Sequence, residues 1–186
     1  MSCLREVKPQ GVLRKGWTAK VDDYALVCDW ALNGNILLVG DAMGGIQAFD
    51  SKTGQQLWQR IDSHKGGLLA MSVHPDGILC ATSGQDGRAV LRNAQDGEIV
   101  LERQIGEGWL EHLSWSPDGQ WLATVCSRYA HAFDVAGKKD WRSEKHPSTI
   151  SAIAWSNQNE LATACCGRVA FYDLGTEQLQ QKLEWK

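Results

Sequence analysis

The sequence has no long hydrophobic run. Among its 186 residues, the longest uninterrupted aliphatic stretch is Ile36 to Val39, whereas a membrane-spanning helix needs about 20 apolar residues. Arg5, Glu6 and Lys8 lie where a signal peptide would carry its apolar segment. We therefore expect a protein without an export signal or a membrane span, located in the cytoplasm.

Clustered positive charge is also absent. The chain has 19 Lys and Arg against 22 Asp and Glu, a net charge of −3, and contains no basic run. Binding to nucleic acid or to an anionic membrane depends on such clusters. The composition therefore indicates neither nucleic acid nor a membrane as a partner.

Common catalytic motifs are missing as well. The sequence contains no G-x-S-x-G, H-E-x-x-H, P-loop or C-x-x-C pattern. Gly106 to Trp109 has the glycines of a phosphate loop, but no helix follows whose N-terminus could bind an anion. The six cysteines of a chain without an export signal are expected to be reduced thiols. We predict neither an enzyme nor a bound cofactor.

The chain does contain four copies of one sequence repeat. Equivalent positions are held by Trp30, Val73, Trp115 and Trp155, at spacings of 43, 42 and 40 residues. A turn follows each of them, as at 116–119, where Pro, Asp and Gly favour a tight reversal. A regular spacing near 40 residues is typical of repeat architectures. We call these four equivalent positions the Trp column and expect its three tryptophans to be largely buried.

Each unit is predicted to form four short antiparallel strands. No segment of helical length has apolar residues at i, i+3, i+4 and i+7, and short alternating runs separated by turns are typical of a β-meander. In each first strand, apolar residues lie two and five positions before the Trp column, as Met71 and Leu68 do. A gap of three breaks the period-two alternation and predicts a β-bulge.

These features resemble the WD-repeat β-propeller family from Val12 onward. The resemblance is carried by the Pro-Asp-Gly turns, by the Leu-Ala-Thr second strands at 122–124 and 161–163, and by the turn at 85–87. It implies an all-β fold, a partial β-propeller of four antiparallel four-stranded blades plus an orphan N-terminal strand. The expected limits are a flexible arm at 1–11, the orphan strand at 12–21, and blades at 22–61, 64–103, 106–142 and 146–186.

The resemblance also bears on ring closure. In that family a strand such as 12–21 completes the last blade of a closed ring, with each blade's first strand innermost. The chain looks like the N-terminal four blades of a longer propeller, so we expect an open arc. A truncated product is the favoured explanation; self-association through the open blade edges comes next, and compression into a four-blade ring is the third alternative.

A buried structural network is implied by the same resemblance. His64, Thr82 and Asp86 match the slots of a hydrogen-bonded trio in the family, and His146 holds the histidine slot of the fourth unit. Units one and three have other residues in that slot, and no unit has the Trp-Asp pair itself. Catalysis by His64 and Asp86 is the less favoured interpretation.

The function implied is a non-enzymatic scaffold of the WD-repeat type that binds other proteins or peptides. Partners of the family engage the loops that enter the first strands and that join the second and third. Those loops carry Asp22, Asp23, Tyr24, Met43, Lys65, Leu68, Trp109, Arg128, Tyr129 and Thr149. Trp109 has no tryptophan counterpart in the other units, so we expect it to be exposed and to contact a partner.

The alternative is a metal-handling or enzymatic propeller. Cys126 and Cys165 occupy equivalent positions in neighbouring units, with Cys166 and His131 nearby. Thiolates and imidazole are ligands that suit zinc. Buried reduced cysteine at a strand end is the more common situation, and the prediction for the chain is therefore no bound metal.

Overall fold

The computed structural model describes residues 16–175 and 178–185. Within these residues, sixteen strands form four sheets. The first sheet contains β1 (Ala25–Ala31), β2 (Ile36–Asp41), β3 (Ile46–Asp50) and β4 (Gln56–Arg60), and the second β5 (Leu68–Val73), β6 (Leu79–Gly84), β7 (Arg88–Asn93) and β8 (Ile99–Gln104). The third contains β9 (Leu113–Trp115), β10 (Trp121–Cys126), β11 (Tyr129–Asp134) and β12 (Asp140–Arg142), and the fourth β13 (Ile150–Trp155), β14 (Glu160–Cys165), β15 (Arg168–Asp173) and β16 (Gln178–Glu184).

Each sheet is an antiparallel meander in which the strands pair in chain order. The Pro-Asp-Gly turns close as predicted, because Gly77 N donates to His74 O at 2.8 Å and Gly119 N to Ser116 O at 2.9 Å. The predicted all-β, four-bladed partial propeller is confirmed. The four sheets span residues 25–60, 68–104, 113–142 and 150–184.

The predicted bulges are present in three of the four first strands. The pairing register shifts after Ala25, Leu68 and Ile150, each five residues before the Trp column. The third sheet differs, because β9 begins only at Leu113. Leu110, five residues before the Trp column in this unit, does not belong to a strand. It is nevertheless fully buried, and its amide donates to Gly84 O in the second sheet at 3.1 Å.

First strands lie innermost, and the sheets follow one another in a row. β1 contacts β5, β5 contacts β9, and β9 contacts β13, whereas no major strand contact among the described residues joins the first sheet to the fourth. The hydrophobic clusters combine residues from neighbouring sheets, so the core is divided among the inter-sheet interfaces. This is the organisation expected of a repeat array. No helix in the described residues is long and apolar enough to cross a membrane.

Two tryptophans of the Trp column link the third and fourth sheets to the sheet before each of them. Trp115 Nε1 donates to Ser72 O at 3.1 Å, and Trp155 Nε1 donates to Ser114 O at 3.0 Å. Trp115 is only 7% exposed and Trp155 is half-buried. The prediction of burial is wrong for Trp30, which is 52% exposed. The reason is its place on the first sheet, where the described chain provides no preceding sheet to cover the indole.

The orphan strand predicted at 12–21 is not seen in its described part. Residues 16–21 have no strand pairing, and residues 12–15, like the predicted arm at 1–11, lie outside the described chain. Trp17 nevertheless contacts the first sheet as Trp58 contacts the second. Trp17 Nε1 donates to Ser51 O at 2.7 Å, and Trp58 Nε1 donates to Ala94 O, the equivalent carbonyl, at 3.0 Å. Trp17 therefore packs at the outer side of the first sheet.

We predict that Trp115→Ala lowers the free energy of unfolding by about 3–5 kcal/mol, as is typical when a buried aromatic side chain is removed. The matched control is Trp30→Ala, which changes the same column where the indole is exposed and is expected to cost much less. Chemical denaturation of both variants measures the difference. Equal losses would contradict the role of the Trp column between sheets.

Candidate functional site

One edge of the sheets collects the loops that the sequence assigns to partner binding. Because the first and second strands of a sheet are antiparallel, the start of one lies beside the end of the other. Ala25 pairs with Asp41, and Ile150 pairs with Cys165. The loops that enter the first strands therefore lie beside the turns that join the second and third strands. We call this edge the loop rim.

Backbone hydrogen bonds tie the loop rim from one sheet to the next. His64 N donates to Gly44 O at 3.1 Å, and His146 N donates to Arg128 O at 2.9 Å. Gly106, which holds the histidine slot of the third unit, donates its N–H to Gly87 O at 3.4 Å. The slot thus forms the same backbone link whether or not its side chain is an imidazole. These backbone links between sheets provide a fixed frame for the exposed side chains of the loop rim.

Hydrogen bonds join the His64, Thr82 and Asp86 side chains beneath the rim. His64 Nδ1 lies 3.1 Å from Asp86 Oδ1, and His64 Nε2 lies 2.9 Å from Thr82 Oγ1. Asp86 also accepts from Lys65 N at 3.0 Å and from Arg88 Nε at 2.9 Å. His64 and Thr82 are buried, so the trio fixes the loop entering β5 against the β6–β7 turn.

The protonation states follow from these contacts. Burial lowers the pKa of His64, although Asp86 opposes this change. Burial alone would raise the pKa of Asp86, but hydrogen bonds from His64, Arg88 and the Lys65 amide outweigh it and lower the value to about 2. An ionised Asp86 accepts a hydrogen bond from the Nδ1–H of a neutral His64, which leaves Nε2 to accept a hydrogen bond from the Thr82 hydroxyl. This arrangement satisfies the polar atoms of a structural element.

His146 forms a different network in the fourth unit. Its Nε2 lies 2.8 Å from Thr163 Oγ1 and 3.5 Å from the Tyr172 hydroxyl, while Nδ1 faces Glu144 O at 3.2 Å. Burial is the largest cause of the lowered pKa of His146. Units one and three have Val21 and Gly106 in this slot, so neither contains an equivalent imidazole network.

Most of the predicted partner-binding residues are accessible. Trp109 is 55% exposed, as predicted. The other exposed members are Asp22, Asp23, Tyr24, Met43, Lys65 and Thr149. Arg128 and Tyr129 are half-buried; Arg128 Nε donates to His146 O at 2.6 Å, and the Arg142 guanidinium lies 4.8 Å from the Tyr129 ring centroid. These two side chains are partly engaged in the rim itself.

Leu68 does not belong to an accessible face. It is fully buried, and its side chain packs so closely on Gly40 of the first sheet that a Cβ at Gly40 would lie 2.8 Å from Leu68 Cδ2. Leu68 occupies the apolar column five positions before the Trp column, whose members Leu110 and Ile150 are also buried. The column that predicted the bulge thus also places Leu68 in the interface between sheets.

An open cleft of about 490 Å³ lies between the first strands, next to the exposed rim residues. Leu69 from β5, Glu111 and His112 from the segment before β9, and Thr149, Ile150 and Ser151 from the start of β13 line it. His112 is held there by its backbone carbonyl, which accepts from Thr124 Oγ1 at 2.8 Å. Of the residues that line this cleft, the sequence singled out Thr149 for partner binding. It did not single out Leu69, Glu111 or Ser151, whose only shared feature is their place at the inner strands.

The metal-site alternative is not supported by the placement of its candidates. Cys126 packs against Gly106, where a Cβ would lie 2.7 Å from the sulfur, and Cys165 Sγ contacts the Cys166 carbonyl at 3.7 Å. His131 lies in a separate cleft with Asp140 and Arg142. Throughout residues 16–175 and 178–185, no three His, Cys, Asp or Glu side chains are placed to share a metal ion.

The row of four-stranded antiparallel sheets with innermost first strands defines a β-propeller. A family model, PQQ_2, described as "Outer membrane protein assembly factor BamB", matches residues 15–112 and again residues 42–180. The chain belongs to this family. No curated protein matches the chain.

A solved structure shows the same fold. A chain of the structure titled "Crystal Structure of Mitotic Checkpoint Complex" is similar to this chain with a TM-score of 0.77 at 18% sequence identity. The similarity covers 89% of this chain and 52% of that one, so the chain spans about half the length of that relative. At this identity the likeness shows the propeller fold alone.

We predict that acidification destabilises the protein through three histidines whose pKa values are lowered by burial. The pKa values of His64, His131 and His146 are all lowered in the fold, and burial, then Arg142, lowers that of His131 to about 4. The unfolded chain binds protons below about pH 6.5, before the folded protein does. The free energy of unfolding is therefore highest above that pH and decreases as the pH falls towards 4.

Chemical denaturation across this pH range measures the effect. The variant His131→Gln removes one of the three groups and is expected to show a smaller loss of stability on acidification than the unmodified protein. A stability that stays constant or increases as the pH falls from about 6.5 to the His131 value of about 4 would contradict the prediction.

Proposed function

We propose that the chain is a non-enzymatic scaffold of the WD-repeat type that binds a protein or peptide at its loop rim, in the cytoplasm. The observation that carries the proposal is the group of exposed Tyr24, Met43 and Trp109 side chains on a rim held by inter-sheet hydrogen bonds. Tryptophan and tyrosine are enriched among the residues that dominate binding energy.

The rim suits binding because its frame is independent of its exposed side chains. Backbone links such as His64 N to Gly44 O fix the loops, and the His64–Asp86 contact lies beneath them. An aromatic side chain on a fixed loop loses little conformational freedom when it contacts a partner. Trp109 is therefore able to contribute contact area at a low entropic cost.

The cleft between the first strands extends the proposed surface. Thr149 belongs both to the exposed rim and to the cleft lining, and Glu111 and His112 follow Trp109 in the chain. A volume of about 490 Å³ has room for side chains of an inserted peptide segment. We infer that the partner contacts Trp109 and places part of its chain in this cleft.

The comparisons are compatible with a protein partner. One match is to a chain of a structure whose title names a complex, and the family description names an assembly factor. The proposed WD-repeat type is supported by the hydrogen bonds that join His64, Thr82 and Asp86. Self-association through the open sheet ends, where Trp30 and Trp185 are exposed, stays a secondary proposal.

Trp109→Ala tests the proposed surface, and Trp185→Ala is a matched control because the two indoles are 55% and 56% exposed. Trp185 follows the last strand of the fourth sheet, where its backbone N–H donates to Gly167 O of the β14–β15 turn at 3.1 Å, so the control indole belongs to a different sheet from the loop entering β9. We expect Trp109→Ala to weaken binding by about 30-fold or more, as for a residue that contributes 2 kcal/mol. We expect both variants to retain the thermal stability of the unmodified protein.

The measurement is affinity capture from native cells, followed by titration of the captured partner against each variant. A partner bound by the unmodified chain and by Trp185→Ala, but lost with Trp109→Ala, supports the rim. Equal binding by all three proteins would place the interaction elsewhere. A loss with Trp109→Ala that accompanies unfolding would show that Trp109 is structural.

A further inference from the structure

One residue in the second sheet departs from the pattern of the other three. The next-to-last position of each third strand is aromatic in the first, third and fourth sheets, where it is Phe49, Phe133 and Tyr172. In the second sheet it is Arg92. All four side chains are buried. A guanidinium therefore occupies a site built for an aromatic ring.

The aromatic residues show which way this position faces. Tyr172 contacts Trp141 of the preceding sheet with ring centroids 4.9 Å apart, and the guanidinium of Arg103 lies 5.0 Å from the Phe133 ring centroid. Each ring thus faces the outer strand of the sheet before it. Arg92 likewise faces the end of β4 in the first sheet, where it reaches Ser63.

Arg92 has hydrogen bonds but no carboxylate partner in the described part of the chain. Its Nη1 donates to Gly97 O at 3.0 Å and its Nη2 to Ser63 Oγ at 3.2 Å, whereas Nε has no partner among the described residues. The side chain is nearly enclosed, with 5% of the residue exposed. Burial lowers the pKa of Arg92, and the positive charge of Arg60 adds to this effect. Arginine nevertheless stays charged in proteins.

The neighbouring arginines are neutralised by acids. Arg60 pairs with Glu98 at 2.7 Å, and Arg88 pairs with Glu102 at 2.7 Å and with Asp86 at 2.9 Å. Glu98 and Glu102 already accept these bonds near the surface. Asp62, which borders the same cleft as the three arginines, is exposed. The three arginines therefore differ, and Arg92 alone among them is buried without an ion pair.

A cleft opens at this position. It has a volume of about 360 Å³, lies between the outer strands of the first and second sheets, and is lined by all three arginines together with Ser63. The lining also contains Asp62, Glu98 and Glu102, so the net charge of the lining does not by itself favour an anion. The feature that favours an anion is the buried Arg92 guanidinium, which has no ion pair among the described residues.

We propose that this cleft binds a small oxyanion, a phosphate or carboxylate group, which contacts the Arg92 guanidinium. A buried charge without a partner destabilises the fold, and a charge-assisted hydrogen bond from a bound anion offsets that cost. Planar guanidinium groups match the oxygen atoms of both phosphate and carboxylate. The lining includes Ile61 to Ser63 from the loop that enters β5, but none of the residues assigned to partner binding. The anion site therefore does not depend on the proposed scaffold function.

Arg92→Phe is the central variant because it installs the residue type that the other sheets use at this position. Folding is therefore expected to be preserved. The matched control is Arg103→Gln. Arg103 is another inter-sheet arginine with a buried nitrogen that lacks a partner among the described residues, but its guanidinium is paired with Asp140. The probe is inorganic phosphate, titrated against sodium chloride at equal ionic strength, with acetate as a parallel arm.

The midpoint of thermal unfolding is measured for all three proteins. For the unmodified chain and Arg103→Gln we expect a saturable rise, about 4 °C when phosphate is tenfold above its Kd. For Arg92→Phe we expect no rise beyond that in chloride. A response to phosphate alone indicates a tetrahedral anion, and an equal response to acetate indicates a carboxylate; both support the proposal.

Two results would overturn it. One is the absence of any saturable rise in the unmodified protein, which would mean that water alone satisfies Nε. The other is an equal rise in Arg92→Phe. If that variant does not fold, the Arg92 Nε–H resonance of the unmodified protein, followed by NMR during the phosphate titration, decides: a saturable shift supports the site and an unchanged resonance contradicts it.

Discussion

The hydrogen bonds and packing between neighbouring sheets hold this protein together. Trp115 and Trp155 each donate an indole N–H to the first strand of the preceding sheet. His64 and His146 each donate a backbone N–H to the turn that joins the second and third strands of the preceding sheet. The hydrophobic clusters likewise combine residues of adjacent sheets. A sheet in such an array is stabilised by the neighbours it touches.

This constraint explains the exposed ends of the array. Trp30 belongs to the same column as Trp115 but is exposed, because the described chain places no complete sheet before the first one. Trp17 covers only the outer side of that sheet, at Ser51. Tryptophan at the same repeat position is thus buried in the third sheet and exposed in the first.

The inter-sheet links also connect the fold to the proposed function. They hold the loop rim in place with buried groups such as His64 and Thr82, which leaves Tyr24, Met43 and Trp109 free of any role in the core. Binding residues placed on loops above a fixed scaffold are common in proteins. The proposed anion cleft uses the same inter-sheet space at its outer side, where Arg92 replaces an aromatic ring.

Local and repeated features could be predicted from the sequence. The Trp column predicted four meanders, the apolar gap of three predicted the bulges at Leu68 and Ile150, and the absence of a tryptophan counterpart predicted the exposure of Trp109. Such features recur within each unit, so the periodicity reveals them.

Features that depend on which elements become neighbours could not be predicted. The burial of Trp30 was assigned from its column, yet it depends on a preceding sheet. The cleft at Glu111 and Ser151 is formed by residues from separate units. Cys126 and Cys165 are equivalent by repeat but belong to different sheets, and equivalence does not bring two side chains together.

Native-state hydrogen exchange tests the dependence on neighbouring sheets most directly. The second and third sheets each have two neighbours, whereas the first and fourth each have one among the described residues. The account predicts slower exchange for amides of β6, β7, β10 and β11 than for amides of β2, β3, β14 and β15. Equal protection in all four sheets, or strongest protection in the first or fourth, would contradict it.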